Sequence, residues 1–263
     1  MDIVGILGFF VGFGMLLLGF IMEKGSIMAL IALSPAVIVL GGTLGALMIS
    51  YTKKEIASIP RLFKEAVTLN PSSAQNYIEV FVQLSEIARR EGLLQLENTV
   101  REGGIAYNVN PMLEKGINLI VDGSQQEFIK DLMETDIYVT DQEKKTEAGI
   151  FETAGGYSPT MGIIGTVMGL VHVLGNLSSP EAMGPAISAA FIATLYGVGF
   201  ANLIYLPIAS KLKLKAKKEK LEKEMIIEGI LSIQAGENPT LLRDKLQTFI
   251  VGSKKTENIE QQD

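Results

Sequence analysis

Four stretches that contain no Asp, Glu, Lys or Arg constrain this chain more than anything else in it: residues 3–22, 25–52, 153–180 and 182–210. Each is long enough to cross a bilayer, because about 20 apolar residues cover the roughly 30 Å hydrocarbon core as a helix. Lipid offers no hydrogen-bond partners to the backbone, so segments of this length are read as helices. With 48% hydrophobic residues among 263, the chain is too apolar for an ordinary soluble protein. The first stretch lacks the basic leader of a signal peptide, beginning Met1-Asp2-Ile3-Val4. A second apolar stretch follows after only Glu23 and Lys24, so the first is expected to stay in the mature protein.

Charge and composition remove several function classes. The 23 basic and 29 acidic residues give a net charge of -6, which argues against nucleic acid as a partner, since phosphate binding needs a basic surface. With no cysteine, disulfide frameworks, thiol catalysis and Cys-ligated metals are excluded. The single His172 excludes a His-pair metal site and leaves a Ser-His-Asp triad dependent on a histidine within an apolar segment. The expectation is a protein that is not an enzyme and carries no cofactor.

The spans pair into two hairpins, because the links within each are short: residues 22–26 in the first and about 176–183 in the second. Orientation follows from basic residues near span ends. Lys53, Lys54, Arg61 and Lys64 follow span two, and Lys211, Lys213, Lys215, Lys217, Lys218 and Lys220 follow span four, whereas the link between spans three and four has no Lys or Arg. Both termini are therefore expected in the cytoplasm. The domain organisation reads as a transmembrane hairpin over 1–52, a cytoplasmic helical domain over 53–152, a second transmembrane hairpin over 153–210 and a cytoplasmic tail over 211–263 with a disordered end. The fold class is an all-α membrane protein with four transmembrane helices.

The insertion is helical by its period: Ile78, Phe81, Val82, Leu84, Ile87 and Ala88, then Leu93, Leu94, Leu96 and Val100. Asn70-Pro71-Ser72-Ser73, Gly103-Gly104, Asn110-Pro111 and Asp122-Gly123-Ser124 punctuate it. The charged stretch 125–147 is expected to run directly into span three. In the tail, Leu212, Leu214, Leu221, Met225, Ile230 and Ile233 repeat the pattern until Gly236-Glu237-Asn238-Pro239 ends it.

Ion channels and pumps usually place an ionisable group within a span despite its cost, and the four spans here have none apart from His172. Alone, the chain is a poor ion carrier. Small residues take the place of charges: Gly5, Gly8 and Gly12, then Gly41, Gly42 and Gly45, then Gly162, Gly165 and Gly169, then Gly197 and Gly199. Such faces permit close helix approach. They serve either packing within one bundle or, together with Thr160, Thr166, Ser188 and Thr194, a polar interface facing another chain. Pro159 and Pro207 sit at the cytoplasmic ends of spans three and four, as hinges or as residues that helix ends tolerate. For His172, with no carboxylate partner in its segment, packing or an interface is favoured over a proton relay.

Four segments carry a resemblance: ARREGLLQLE at 88–97, GINLIVDG at 116–123, SPTMGIIGTVMGL at 158–170 and IIEGILSIQ at 226–234. Over nearly its whole length the chain resembles the MotA branch of the MotA/TolQ/ExbB family, the flagellar stator subunits. TolQ and ExbB place one span ahead of their cytoplasmic part rather than two, which favours the stator over an energy-transducing adaptor that drives an envelope protein. A purely structural scaffold is the more distant third reading. The resemblance implies a homo-oligomer, a pentamer in the family, set in membrane lipid around the single spans of two MotB-like chains that supply a membrane aspartate. Ion passage past that carboxylate would turn the ring against the rotor protein FliG. Carried over residue by residue, the rotor-facing charges fall on Arg89, next to Arg90, and on Glu97. The mechanistic prolines fall on Pro159 and Pro207, and the pore-facing threonines on Thr166 and Thr194.

The driving ion has clues in both directions. Thr166 matches the threonine of sodium-type stators, yet Ala193 stands where their pattern places a second threonine. A hydroxyl in a membrane helix can also bond its own backbone. The reading favours protons, with sodium as the alternative.

Overall fold

The computed structural model describes residues 2–68, 74–101, 110–176 and 180–250, and all regular structure among them is helical. The sequence breaks at 70–73 and 103–104 and the polar end after residue 252 lie outside the described residues. Four helical runs are long and apolar enough to cross a membrane: Ile3–Met22, Ile27–Ser50, and parts of Gln126–Gly175 and Met183–Gln234. The chain divides into two compact units, one of residues 1–69 and 144–214, the other of residues 70–143 and 215–263.

The first unit holds the four spans. Helix α1 (Ile3–Met22) is capped by Asp2, whose side chain accepts from the Gly5 N–H at 3.0 Å. At its other end Lys24, at φ 60°, turns the chain, and the Gly25 N–H reaches back to the Phe20 carbonyl at 3.0 Å. A Cβ on Gly25 would lie 2.5 Å from the Phe20 ring, so a larger residue there would require that ring to shift.

The second apolar stretch is not one regular helix. A 3-10 turn, Ile27–Leu30, leads into α2 (Leu33–Ala36), a π-turn (Val37–Gly41) and α3 (Gly42–Ser50). Tyr196 closes the gap between the 3-10 turn and α2: its hydroxyl donates to the Leu30 carbonyl at 2.5 Å and accepts from the Ala32 N–H at 3.3 Å. Backbone groups freed at membrane depth need such partners.

Thr52 then caps α4 (Lys53–Val67) in a reciprocal box with Glu55, as its Thr-x-x-Glu spacing dictates. Leu62 and Ala66 of α4 are buried with Leu47, Ala148, Phe151, Ala154, Ile208 and Leu212 in the core of this unit.

In the second unit, α5 (Ala74–Glu91), α6 (Gln95–Arg101) and α7 (Pro111–Val121) precede the start of α8 (Gln126–Gly175). Asn110 caps α7 by accepting from the Met112 N–H, with Pro111 at the first helical position, where its missing donor costs nothing. Gly123, at φ 73°, closes α7 with a Gly N–H to Ile120 carbonyl bond of 3.0 Å and a Ser124 N–H to Leu119 carbonyl bond of 3.1 Å. Ile78, Phe81 and Leu84 are buried as their spacing predicts, with Leu113, Ile117, Met133, Met225, Ile226 and Ile230. Leu94 departs from the pattern and is 72% exposed, because it falls in the turn between α5 and α6, where helical spacing does not apply.

The tail continues beyond its punctuation. Gly236, at φ 68°, ends α10 (Leu206–Gln234), and Asn238 with Pro239 opens a further helix, α11 (Pro239–Gln247). α11 buries Leu242 and Leu246 against the core and is fastened by Lys245, which bridges Glu228 and Glu237. The hydrogen bond that the Lys245 ammonium donates to the Glu228 carboxylate raises its pKa, partly opposed by burial.

Candidate functional site

Spans three and four meet along a face of small residues. Span three is the later part of α8, and the charged stretch before it belongs to the same 50-residue helix, as expected. Span four is the part of α9 (Pro180–Phe200) that follows Glu181, continued through a π-turn (Ala201–Tyr205) into α10. A Cβ on Gly162 would lie 2.8 Å from the Ala193 carbonyl oxygen, and one on Gly197 would lie 2.6 Å from that of Ser158. Gly165 faces the Ala193 methyl and Gly169 the Ala190 methyl at 2.6 and 2.7 Å on the same measure. The two backbones therefore approach as only glycine allows. Buried Ser158 adds a hydrogen bond of 2.9 Å to the Gly197 carbonyl.

Of the two readings of the small residues, packing within the chain accounts for Gly162, Gly165, Gly169 and Gly197. Gly8, Gly41, Gly45 and Gly199 meet nothing within 4 Å among the described residues.

The threonines come together at this contact. Thr166 Oγ1 lies 2.5 Å from Thr194 Oγ1, 3.0 Å from the Ala190 carbonyl oxygen and 3.1 Å from that of Gly162. Both residues are half-buried. A threonine hydroxyl has one proton to donate, and carbonyls can only accept. The arrangement that satisfies most groups has Thr194 donating to Thr166 and Thr166 donating to a carbonyl. Both protons are then directed inward, and what remains available is oxygen lone pairs, suited to a cation or to a proton donor. Ala193, 1% exposed with its methyl towards Gly165, adds no side-chain oxygen. Thr160 and Ser188 are not part of the cluster: exposed Thr160 bonds its own helix at the Tyr157 carbonyl, and exposed Ser188 lines a groove beside α1.

Pro159 and Pro207, which the sequence places at the cytoplasmic ends of spans three and four, both lie inside continuous helical runs. Pro159 lies within α8, and Pro207 lies in the second position of α10, which continues the π-turn without interruption. Ser158, beside Pro159, is fully buried, and a π-turn stands immediately before α10 and Pro207, a feature often found where a helix departs from regular spacing. His172 is exposed on span three. Among the described residues no group of three His, Asp or Glu is placed to hold a metal ion.

Arg89 and Glu97 belong to the other unit. Arg89 and Arg90 are exposed in the last turn of α5, and Gly92, at φ 90°, turns the chain into α6, where Glu97 is half-buried next to fully buried Leu96.

Residues 106–225 match the profile of the MotA/TolQ/ExbB proton channel family, and residues 6–92 match that of the motility protein A N-terminal region. The chain is 34% identical over 262 residues to motility protein A of Bacillus subtilis (strain 168), covering 99% of this chain and 95% of that one. This chain belongs to the MotA/TolQ/ExbB proton channel family. Within that family it is also similar to the chemotaxis protein PomA of Vibrio alginolyticus, 31% identical over 261 residues, covering 99% of this chain and 100% of that one. It superposes on the flagellar MotAB stator complex from Bacillus subtilis with a TM-score of 0.87 and 33% identity, covering 97% of this chain and 98% of that chain. With four spans, this member of the family is a multi-pass membrane protein.

The break in span two and the two π-turns escaped sequence reasoning. Pro35 was a local signal for the first, and the tie from Tyr196, 166 residues from Leu30, had none.

Proposed function

We propose that the chain is the outer subunit of a flagellar stator and couples cation flow to torque on the rotor. The observation that carries this reading is the pair of hydroxyls at a glycine-tight contact between two spans that hold no carboxylate or ammonium group. Such spans need an ionisable group from elsewhere, and the relatives' stator complexes contain a second protein. In this reading a MotB-like single-span partner brings a membrane aspartate beside Thr166 and Thr194. Several copies of the chain, five by family analogy, surround two such partners in the lipid of the bacterial inner membrane, with both termini cytoplasmic.

Residues 53–152 and 211–263 are then the cytoplasmic parts, and Arg89 and Glu97 meet FliG. Pro159 and Pro207 are the joints of spans three and four. Each lacks a backbone donor in the middle of a continuous helix, so the turn before it is held by one bond fewer. Protons are the favoured ion. Sodium takes a shell of several oxygen ligands, and Ala193 withholds one.

Swimming speed measured against external sodium at fixed pH, and then with a protonophore at fixed sodium, tests the ion. Speed that falls with the protonophore and ignores sodium supports protons, and the opposite result supports sodium. Deletion of the chain that leaves cells flagellated and fully motile would overturn the stator reading.

A further inference from the structure

The start of span one is tied to the helix just beyond Pro207. Asp2 uses Oδ1 to cap α1, and its own N–H donates to the Val67 carbonyl at the end of α4 at 3.0 Å. Its second oxygen, Oδ2, accepts from Lys211 Nζ at 2.5 Å. Lys211 follows Pro207 by four residues, about one turn, and so lies on the same side of α10. The ammonium reaches Asp2 across Gly5, where a Cβ would come within 1.7 Å of Nζ. Pro207 and Lys211 both line a cavity of about 480 Å³ with Gly5, Phe63, Val67 and Leu203.

Three separate features therefore converge on one turn of α10: a missing backbone donor, open space beside it, and a cation held one turn further on. The ion pair is partly exposed, at 34% and 21% of its side chains, so it can break and reform without a large desolvation cost. We infer that Asp2 is a positioning residue for movement at Pro207, holding Lys211 and thereby setting the angle from which α10 swings. The inference rests on the proposed reading of Pro207 as a joint. Gly5 lies in the path of this contact, where a side chain would force the Lys211 ammonium to shift.

The test uses the full chain with its membrane partner in a strain lacking its own stator, and follows a bead on a single motor. Each stator that joins adds a step in speed, so torque per unit and number of units are read separately. Asp2→Asn keeps the α1 cap and removes the charge, and Lys211→Gln removes the cation. Each should lower torque per unit about 1.4- to fivefold, the range that a partly exposed ion pair supports. The double variant should lose no more than either single, Lys211→Arg should keep its torque, and the number of units should not change. Unchanged torque per unit in both single variants, additive losses in the double, or fewer units of normal torque would each overturn the inference. Should Asp2→Asn yield no working units, Lys211→Gln, which leaves the cap in place, decides. Pro207→Ala separates the two readings: normal rotation in that variant removes the joint itself, whereas a stopped Pro207→Ala motor with a normal Asp2→Asn motor removes only the role of Asp2.

Discussion

Thr166 Oγ1 and Thr194 Oγ1 stand 2.5 Å apart across the contact of spans three and four, and the Thr166 oxygen also lies within 3.1 Å of two backbone carbonyls, those of Gly162 and Ala190. With one proton, that hydroxyl donates to one of the two carbonyls and accepts from Thr194. If it also serves a passing cation, loss of the hydroxyl should be felt in rate more than in assembly. Thr166→Val, which keeps the shape, should slow rotation while the complex still forms, and Thr166→Ser should retain most of the speed. Counting motor speed steps alongside membrane levels checks this. Normal speed in Thr166→Val would reduce the pair to helix packing.

Gly162 and Gly197 make the opposite prediction. A side chain at either position meets backbone, which cannot rotate away. Gly162→Val or Gly197→Val should cost about 1–3 kcal/mol of overpacking and deplete the assembled complex. Gly199→Ala, with nothing within 4 Å in the described chain, should not disturb the fold. Thermal unfolding of the purified membrane complex distinguishes these variants.

In the proposed reading, Arg89 and Glu97 face the rotor. Exposed charge pairs contribute on the order of 0.2–1 kcal/mol each, so several contacts must share the load. Reversing either charge should weaken swimming. Reversing both should abolish it without blocking membrane insertion. A double reversal that swims normally would make the two residues an ordinary solvated surface.

Much of this architecture is legible in the sequence because its signals are local. The uncharged stretches mark the spans, the spacing of Ile78, Phe81 and Leu84 marks a buried helix face, and Asn110-Pro111 marks a helix start through a side-chain cap and a donor that the first turn does not need. The same logic applies to Asn238-Pro239, which both follows the end of α10 and opens α11. What the sequence hides depends on distant partners. Proline rules place Pro159 at a boundary, yet α8 runs through it, and the neighbouring Ser158 is buried and bonded to Gly197, 39 residues away. The 3-10 turn of span two and its closure by Tyr196 are likewise decided between elements. Thr166 and Thr194 stand out in the sequence as hydroxyls in apolar spans. Their 2.5 Å contact needed the glycine-tight approach of two helices.

The most direct test of the account is ion flux in liposomes, with the chain reconstituted alone, with its MotB-like partner, and with a partner whose membrane Asp is replaced by Asn. Spans without a carboxylate or ammonium should pass no protons or sodium by themselves. The account predicts flux only when the partner with its aspartate is present. Robust flux through the chain alone, or equal flux with the Asn partner, would contradict it.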